Sequence, residues 1–194
     1  MKNSTIQYYN MHADAFAAGT ENADMQECRA HFLQYLQPGQ KILDAGCGSG
    51  RDTLAFLSAG YAVDAMDASE SLCRIASKRT GIPIRCQRFE ELDDENIYDG
   101  IWACASLLHV PKEALPDVLL RLHRLLLPRG ILYASFRYGA GDRIKDGRYF
   151  HDMDECECRK LLEPAGFRVI EIFITTDVRK DRTSERWTNV IARK

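Results

Sequence analysis

Lys41-Ile-Leu-Asp44-Ala-Gly46-Cys47-Gly48-Ser-Gly50-Arg51-Asp-Thr53 is the stretch whose reading decides the fold. The apolar pair Ile42-Leu43 runs into an acidic residue, Asp44, and glycines follow at positions 46, 48 and 50. Such a run reads as a buried strand that ends in a tight turn and opens a helix. Glycine permits positive φ and lets backbone approach a ligand where a Cβ would clash. Asp44 falls where the strand leaves the sheet, which is where open α/β sheets take their ligands. The expectation is a cofactor loop.

Working outward, the same alternation of strand and helix repeats. Arg51 to Ala59 reads as a helix stopped by Gly60, and Tyr61 to Met66 as a second strand closed by Asp67. Ser69 is the expected N-cap of a helix running to Arg79. A third strand is expected near Ile84 to Gln87, a buried fourth over Gly100 to Leu107, and a fifth over Ile131 to Phe136. Between the last two, Pro116 to Leu127 has apolar residues on one helical face. Residues 137 to 150 show no periodicity and are read as a loop that covers a site. A helix over Asp154 to Ala165 leads to alternating segments at Phe167 to Ile174 and Arg186 to Ala192, read as an edge hairpin. Before the loop, Thr5 to Gly19 and Asp24 to Leu36 are the helical stretches.

The fold class this implies is α/β: a doubly wound, mostly parallel Rossmann-like sheet with helices on both faces and a C-terminal antiparallel strand pair. At 194 residues the chain suits one domain. Residues 1–40 are then an N-terminal helical lid and 41–194 the core. No apolar run approaches the ~18 residues that cross a bilayer. Met1 to Gln7 lacks the basic-then-apolar order of a signal peptide, so a cytoplasmic protein is expected. A net charge of -2 supplies no overall attraction to nucleic acid. The odd count of seven cysteines is read as reduced thiols, with no metal site at Cys156-Glu-Cys158.

Two nucleotide patterns fail. A dinucleotide loop needs Gly-x-Gly-x-x-Gly, and Arg51 stands where its third glycine would fall. The phosphate loop needs Gly-Lys-Ser/Thr, and no Gly-Lys follows. Asp44-Ala-Gly-Cys-Gly-Ser-Gly50 instead resembles the first motif of class I S-adenosylmethionine-dependent methyltransferases. Asp67 matches that family's ribose-binding acid. Tyr98-Asp99, Ala105-Ser106-Leu-Leu-His109-Val110 and Leu125-Leu-Leu-Pro-Arg-Gly130 match its later passages. A finer resemblance is to small bacterial methyltransferases related to the tellurite-resistance methyltransferase, through Gly50-Arg-Asp52, Ser106 to Val110 and Glu185-Arg-Trp187.

The resemblance implies S-adenosyl-L-methionine as cofactor, S-adenosyl-L-homocysteine as product and direct displacement onto a small-molecule acceptor. It places Gly46, Cys47, Gly48, Gly50, Ala68, Ala105 and Ser106 around the cofactor. A carboxylate such as Asp67 suits a ribose diol because it accepts two hydrogen bonds. The helix start and Arg51 suit the cofactor's carboxylate, and Asp44 its amine. Aromatic faces suit a sulfonium, which Tyr8, Tyr9 or Phe16 can offer if the N-terminus folds over the site. Relatives often place an acid after the third strand; here Arg88 stands there, so Phe89, by stacking or by its amide, and Glu90 are the adenine candidates. His109 is the candidate general base, and Arg148-Tyr-Phe150 with Trp187 candidate acceptor-pocket residues. A non-catalytic cofactor-binding sensor or partner subunit is the competing reading, and the expected assembly is a monomer or homodimer.

Overall fold

The computed structural model describes residues 3–179 and 182–194. Helices α1 (Asn3–Met11), α2 (Ala13–Thr20) and α3 (Gln26–Leu33) precede strand β1 (Lys41–Ala45). Then come α4 (Arg51–Ser58), β2 (Ala62–Asp67), α5 (Glu70–Thr80), β3 (Ile84–Cys86) and β4 (Tyr98–Ala103). The second half runs through α6 (Leu115–Leu125), β5 (Leu126–Arg137), β6 (Gly141–Lys145), β7 (Arg148–Asp152), α7 (Glu155–Leu162), β8 (Arg168–Thr176) and β9 (Arg186–Arg193).

The main sheet has the order β3-β2-β1-β4-β5-β9-β8. The first five of these strands are parallel; β9 pairs antiparallel with β5 and β8 with β9. This is the doubly wound sheet with a C-terminal antiparallel pair expected from the sequence. The chain turns one way from β1 to β2 and the other way to β4, so a crevice opens above the end of β1.

Strand alternation decides which side chains face which helices. Leu43, Ile101, Leu132 and Val190 share a core with α6 and α7. Their neighbours Ile42, Trp102, Tyr133 and Ile191 point the other way, to Phe32 of α3 and Phe56 of α4. There Trp102 stacks on Tyr133 with ring centroids 3.8 Å apart. Both faces are therefore dry, and the polar ends of the strands are left to carry chemistry.

Several boundaries differ from the sequence reading, each for a local reason. The fourth strand stops at Ala103, because Ala105 takes φ +51° and turns the chain into a 3-10 turn over Leu107–His109. The fifth strand begins at Leu126 without a separate turn, and Arg129 takes φ +69° within it. The largest correction concerns residues 137–150, expected as a loop. They contain β6 and much of β7, an antiparallel hairpin separate from the main sheet. Asp146 and Gly147 at its tip have φ +53° and +77°, the paired left-handed residues of a tight hairpin turn.

The N-terminal helices close over the crevice. Asn10 Oδ1 accepts from the Ser69 hydroxyl at 2.7 Å and from the Ser71 amide at 3.2 Å. The Thr5 hydroxyl oxygen accepts from the Tyr149 amide at 3.0 Å, tying α1 to the hairpin. No helix among the described residues is long and apolar enough to cross a membrane.

Candidate functional site

The glycine loop is pinned to the end of β2. The Gly46 and Cys47 amides both donate to the Met66 carbonyl at 2.9 Å. One residue on, the Gly48 amide donates to Asp67 Oδ2 at 2.9 Å, and the Ser69 amide donates to Oδ1 at 2.8 Å. Asp67 is thus a rigid acceptor with lone pairs left over. Burial pushes its pKa up, opposed by the bonds from the Ser69, Gly48 and Ala68 amides.

Asp44, 2% exposed, faces the same space from the end of β1. The Thr53 hydroxyl donates to its Oδ2 at 2.6 Å. Burial, followed by the nearby Asp52 carboxylate, pushes the Asp44 pKa up to about 7, with the Thr53 bond opposing. Asp52 is itself held low by Arg51 and Arg29, which outweigh its burial. Arg29 donates to its Oδ1 at 2.7 Å, and the Trp102 indole to its Oδ2 at 3.1 Å. Arg51 donates twice to Asp52 and once to the Thr20 carbonyl, so most of its guanidinium is already engaged.

These groups line one cavity of about 840 Å³. Of the residues singled out in the sequence, Tyr9, Asp44, Gly46, Cys47, Gly48, Arg51, Asp67, Ala68, Phe89, Ala105, Ser106 and His109 all reach its wall. Gly50 and Glu90 do not. Gly50, at φ +79°, sits against Ala76 and Thr80 of α5, so its missing Cβ serves helix packing rather than a ligand. Glu90 lies in the short turn beyond β3, off the cavity wall. Phe89, 2% exposed, packs in the main core with Met66 and Leu92 and also reaches the cavity wall. The neighbouring Gln87 and Arg88 reach it too.

On the same cavity wall, the lid meets the turn after β4. Ring nitrogen Nδ1 of His109 lies 2.7 Å from the Tyr149 carbonyl, and Nε2 lies 2.9 Å from the Tyr9 hydroxyl. A carbonyl only accepts, so Nδ1 carries the proton and Nε2 accepts from Tyr9 in the neutral ring. Burial drives the His109 pKa down to about 4; the Tyr149 bond opposes, while Arg148 and Arg143 add to the fall. Phe16 packs edge-on to Tyr9 and lies 3.1 Å from where a Cβ on Gly48 would stand. Tyr8, Phe150 and Trp187 line the cavity too. Sequence reasoning missed Arg137, Arg143 and Lys145, because the hairpin that carries most of them was read as a loop. The Asp146-Gly147 turn pair was the signal that could have found it.

Residues 42–130 match the family model described as a methyltransferase domain. The 24-methylenesterol C-methyltransferase 2 of Arabidopsis thaliana is 29% identical over 130 residues, spanning 62% of this chain and 35% of that protein. The ubiquinone biosynthesis O-methyltransferase of Rickettsia conorii is 29% identical over 142 residues, spanning 70% of this chain and 47% of that one. This chain therefore covers less than half of either curated relative. Among solved structures, the Burkholderia thailandensis 1,6-didemethyltoxoflavin-N1-methyltransferase, with 1,6-didemethyltoxoflavin and S-adenosylhomocysteine bound, matches with TM-score 0.84 and 26% identity. That match covers 98% of this chain and 87% of the other.

Proposed function

We propose that this chain, which carries a class I S-adenosylmethionine-dependent methyltransferase domain, moves a methyl group from that cofactor to a small-molecule acceptor. The observation that carries the proposal is the shared cavity. The glycine loop with Asp44 and Asp67 lines it together with the Tyr9–His109 pair under the lid. An acceptor chamber beside the donor cradle favours an enzyme over a non-catalytic sensor. The residues fit the cofactor: Asp67 is a half-buried carboxylate at the cavity wall, already oriented by its own loop amides. When bound, S-adenosylmethionine supplies an electrophilic methyl group on a sulfonium.

Each role follows from a position. Asp67 accepts from the ribose hydroxyls. Asp44 offers its free oxygen to the ammonium, and the start of α4 faces the carboxylate. Gly46, Cys47, Gly48, Ala68, Ala105 and Ser106 form the walls, with Tyr9 and Phe16 as aromatic faces for the sulfonium. Residues 3–40 are the lid of a single domain. His109 takes the acceptor's proton through, or beside, the Tyr9 hydroxyl. Proximity in a closed chamber is worth roughly 7–11 kcal/mol and supplies most of the acceleration. Within the family we place the chain nearest the small bacterial methyltransferases related to the tellurite-resistance enzyme. It is further proposed to be cytoplasmic, a monomer or homodimer, and not a nucleic-acid binder.

The test is calorimetric titration with S-adenosylmethionine, S-adenosylhomocysteine and NAD, then product mass after incubation of a metabolite library with methyl-labelled cofactor. Response to NAD alone overturns the reading.

Two pH predictions follow. Asp44 keeps its proton in the folded chain up to about pH 7, whereas the unfolded chain loses it near 3.8. Stability from this group therefore falls as pH rises through that window. A cofactor ammonium beside Asp44 reverses the shift, so binding at about pH 6 should release a proton. Calorimetry in buffers of different ionisation enthalpy reads this directly, and Asp44→Asn should abolish it. His109, with a pKa near 4, stays neutral at physiological pH. Turnover should then be flat from about pH 6 to 8 and fall only as the ring protonates at lower pH. His109→Ala should cut turnover by about a hundredfold; unchanged turnover from pH 6 to 9 removes the base.

A further inference from the structure

The cations around the acceptor end of the cavity are unequally satisfied. Arg143 donates twice to Asp152, at 2.6 and 3.1 Å, and Arg137 donates to Glu185. Arg148 differs. It opens β7 and its side chain is only 13% exposed, yet among the described residues its one carboxylate contact is to Asp146 at 3.1 Å. Asp146 sits at the hairpin tip and is 57% exposed, so water screens that pair. The Nε–H of Arg148 is buried without an acceptor among the described residues. A buried, under-compensated guanidinium is costly unless something else brings it an anion.

The surroundings describe that partner. The guanidinium carbon lies 4.1 Å from the centre of the Tyr8 ring and 5.3 Å from that of Phe150. It is 5.8 Å from the centre of the Tyr9 ring. Aromatic faces thus flank a planar cation one residue from the Tyr9–His109 pair, on the wall of the same cavity. Lys145 adds a second positive charge to that wall. A carboxylate matches a guanidinium in two parallel bonds, and a flat ring attached to it packs against Tyr8 and Phe150.

We infer that the methyl acceptor is a planar aromatic acid whose carboxylate is held by Arg148 between Tyr8 and Phe150. This rests on the proposed function and names the substrate class for its acceptor chamber. Arg148 is a specificity-determining residue: it selects the anion and, through Tyr9, sets the acceptor beside His109. A neutral sterol-like or amide acceptor would leave the guanidinium with only the water-screened Asp146 as anionic partner, and is disfavoured on that ground.

The test is calorimetric titration of the full chain, loaded with S-adenosylhomocysteine, against mono- and dihydroxybenzoates and their matched amides. At least one acid should bind about tenfold or more tighter than its amide, as a charge-assisted bond implies. Arg148→Gln should erase that preference, Arg148→Lys should keep part of it, and both should bind S-adenosylhomocysteine as the parent chain does. Equal binding of acid and amide, an undiminished preference in Arg148→Gln, or no response to any acid overturns the inference. Failure to bind S-adenosylhomocysteine counts against the proposed function instead. The acid-against-amide comparison is therefore run on the protein alone as well, where it still decides the matter.

Discussion

Asp67→Ala is expected to weaken S-adenosylmethionine binding by at least about a hundredfold, since a hydrogen bond to a charged group contributes ~1.5–3 kcal/mol and a ribose diol makes two. The loss has a second part. Both carboxylate oxygens already accept from the chain, Oδ2 from Gly48 and Oδ1 from Ser69. Removing them orphans two amides and loosens the glycine loop from the end of β2. Asp67→Asn is the sharper probe. Its amide nitrogen must face either the Gly48 or the Ser69 N–H, donor against donor, so the near-isosteric change should be almost as damaging as alanine. Titration calorimetry with S-adenosylhomocysteine, beside a thermal melt of each variant, separates the lost contacts from lost folding. An unchanged affinity takes Asp67 out of the site.

The place of Asp67 on the cavity wall was legible because it is set locally. An acid at the end of a strand, beside a glycine loop at the end of its neighbour, has few other places to point. The doubly wound class of the sheet was legible for a similar reason: short connections and helical crossovers leave few architectures. What failed was direction. Gly50 fits the glycine pattern as well as Gly46 does, yet it faces α5 instead of the cavity. No local pattern states on which side of a turn a side chain falls. The hairpin of β6 and β7 was hidden because its strands carry charges where a buried strand would alternate; Ile144 is 62% exposed. Arg148 needed more still. Its neighbours Tyr8 and Tyr9 lie at the other end of the chain, and only the folded lid brings them to it.

The same distinction gives the second large effect. Gly46 has φ +87°, and a Cβ there would stand 2.4 Å from the Ser106 Cβ and 3.0 Å from its hydroxyl oxygen. Gly46→Ala therefore meets two penalties of different origin. The left-handed backbone costs ~1–2 kcal/mol, and forcing apart the loop and the turn after β4 costs ~1–3 kcal/mol more. At roughly 2–4 °C per kcal/mol for a chain of this size, the melting temperature should fall by about 4–20 °C. Cofactor affinity should fall with it, because Ser106 and Gly46 share the cavity wall. A second substitution separates the two penalties. Ser106→Gly removes the atoms that collide, at the expense of the bond its hydroxyl donates to the Ala45 carbonyl at 2.7 Å. In the double variant the steric part should vanish while the backbone part remains. Thermal melts of the four proteins should then show a favourable coupling of ~1–3 kcal/mol between the two sites. Simple additivity would mean that Gly46 is needed for its φ alone, and that the close approach of β1 to the Ser106 turn does not shape the cradle.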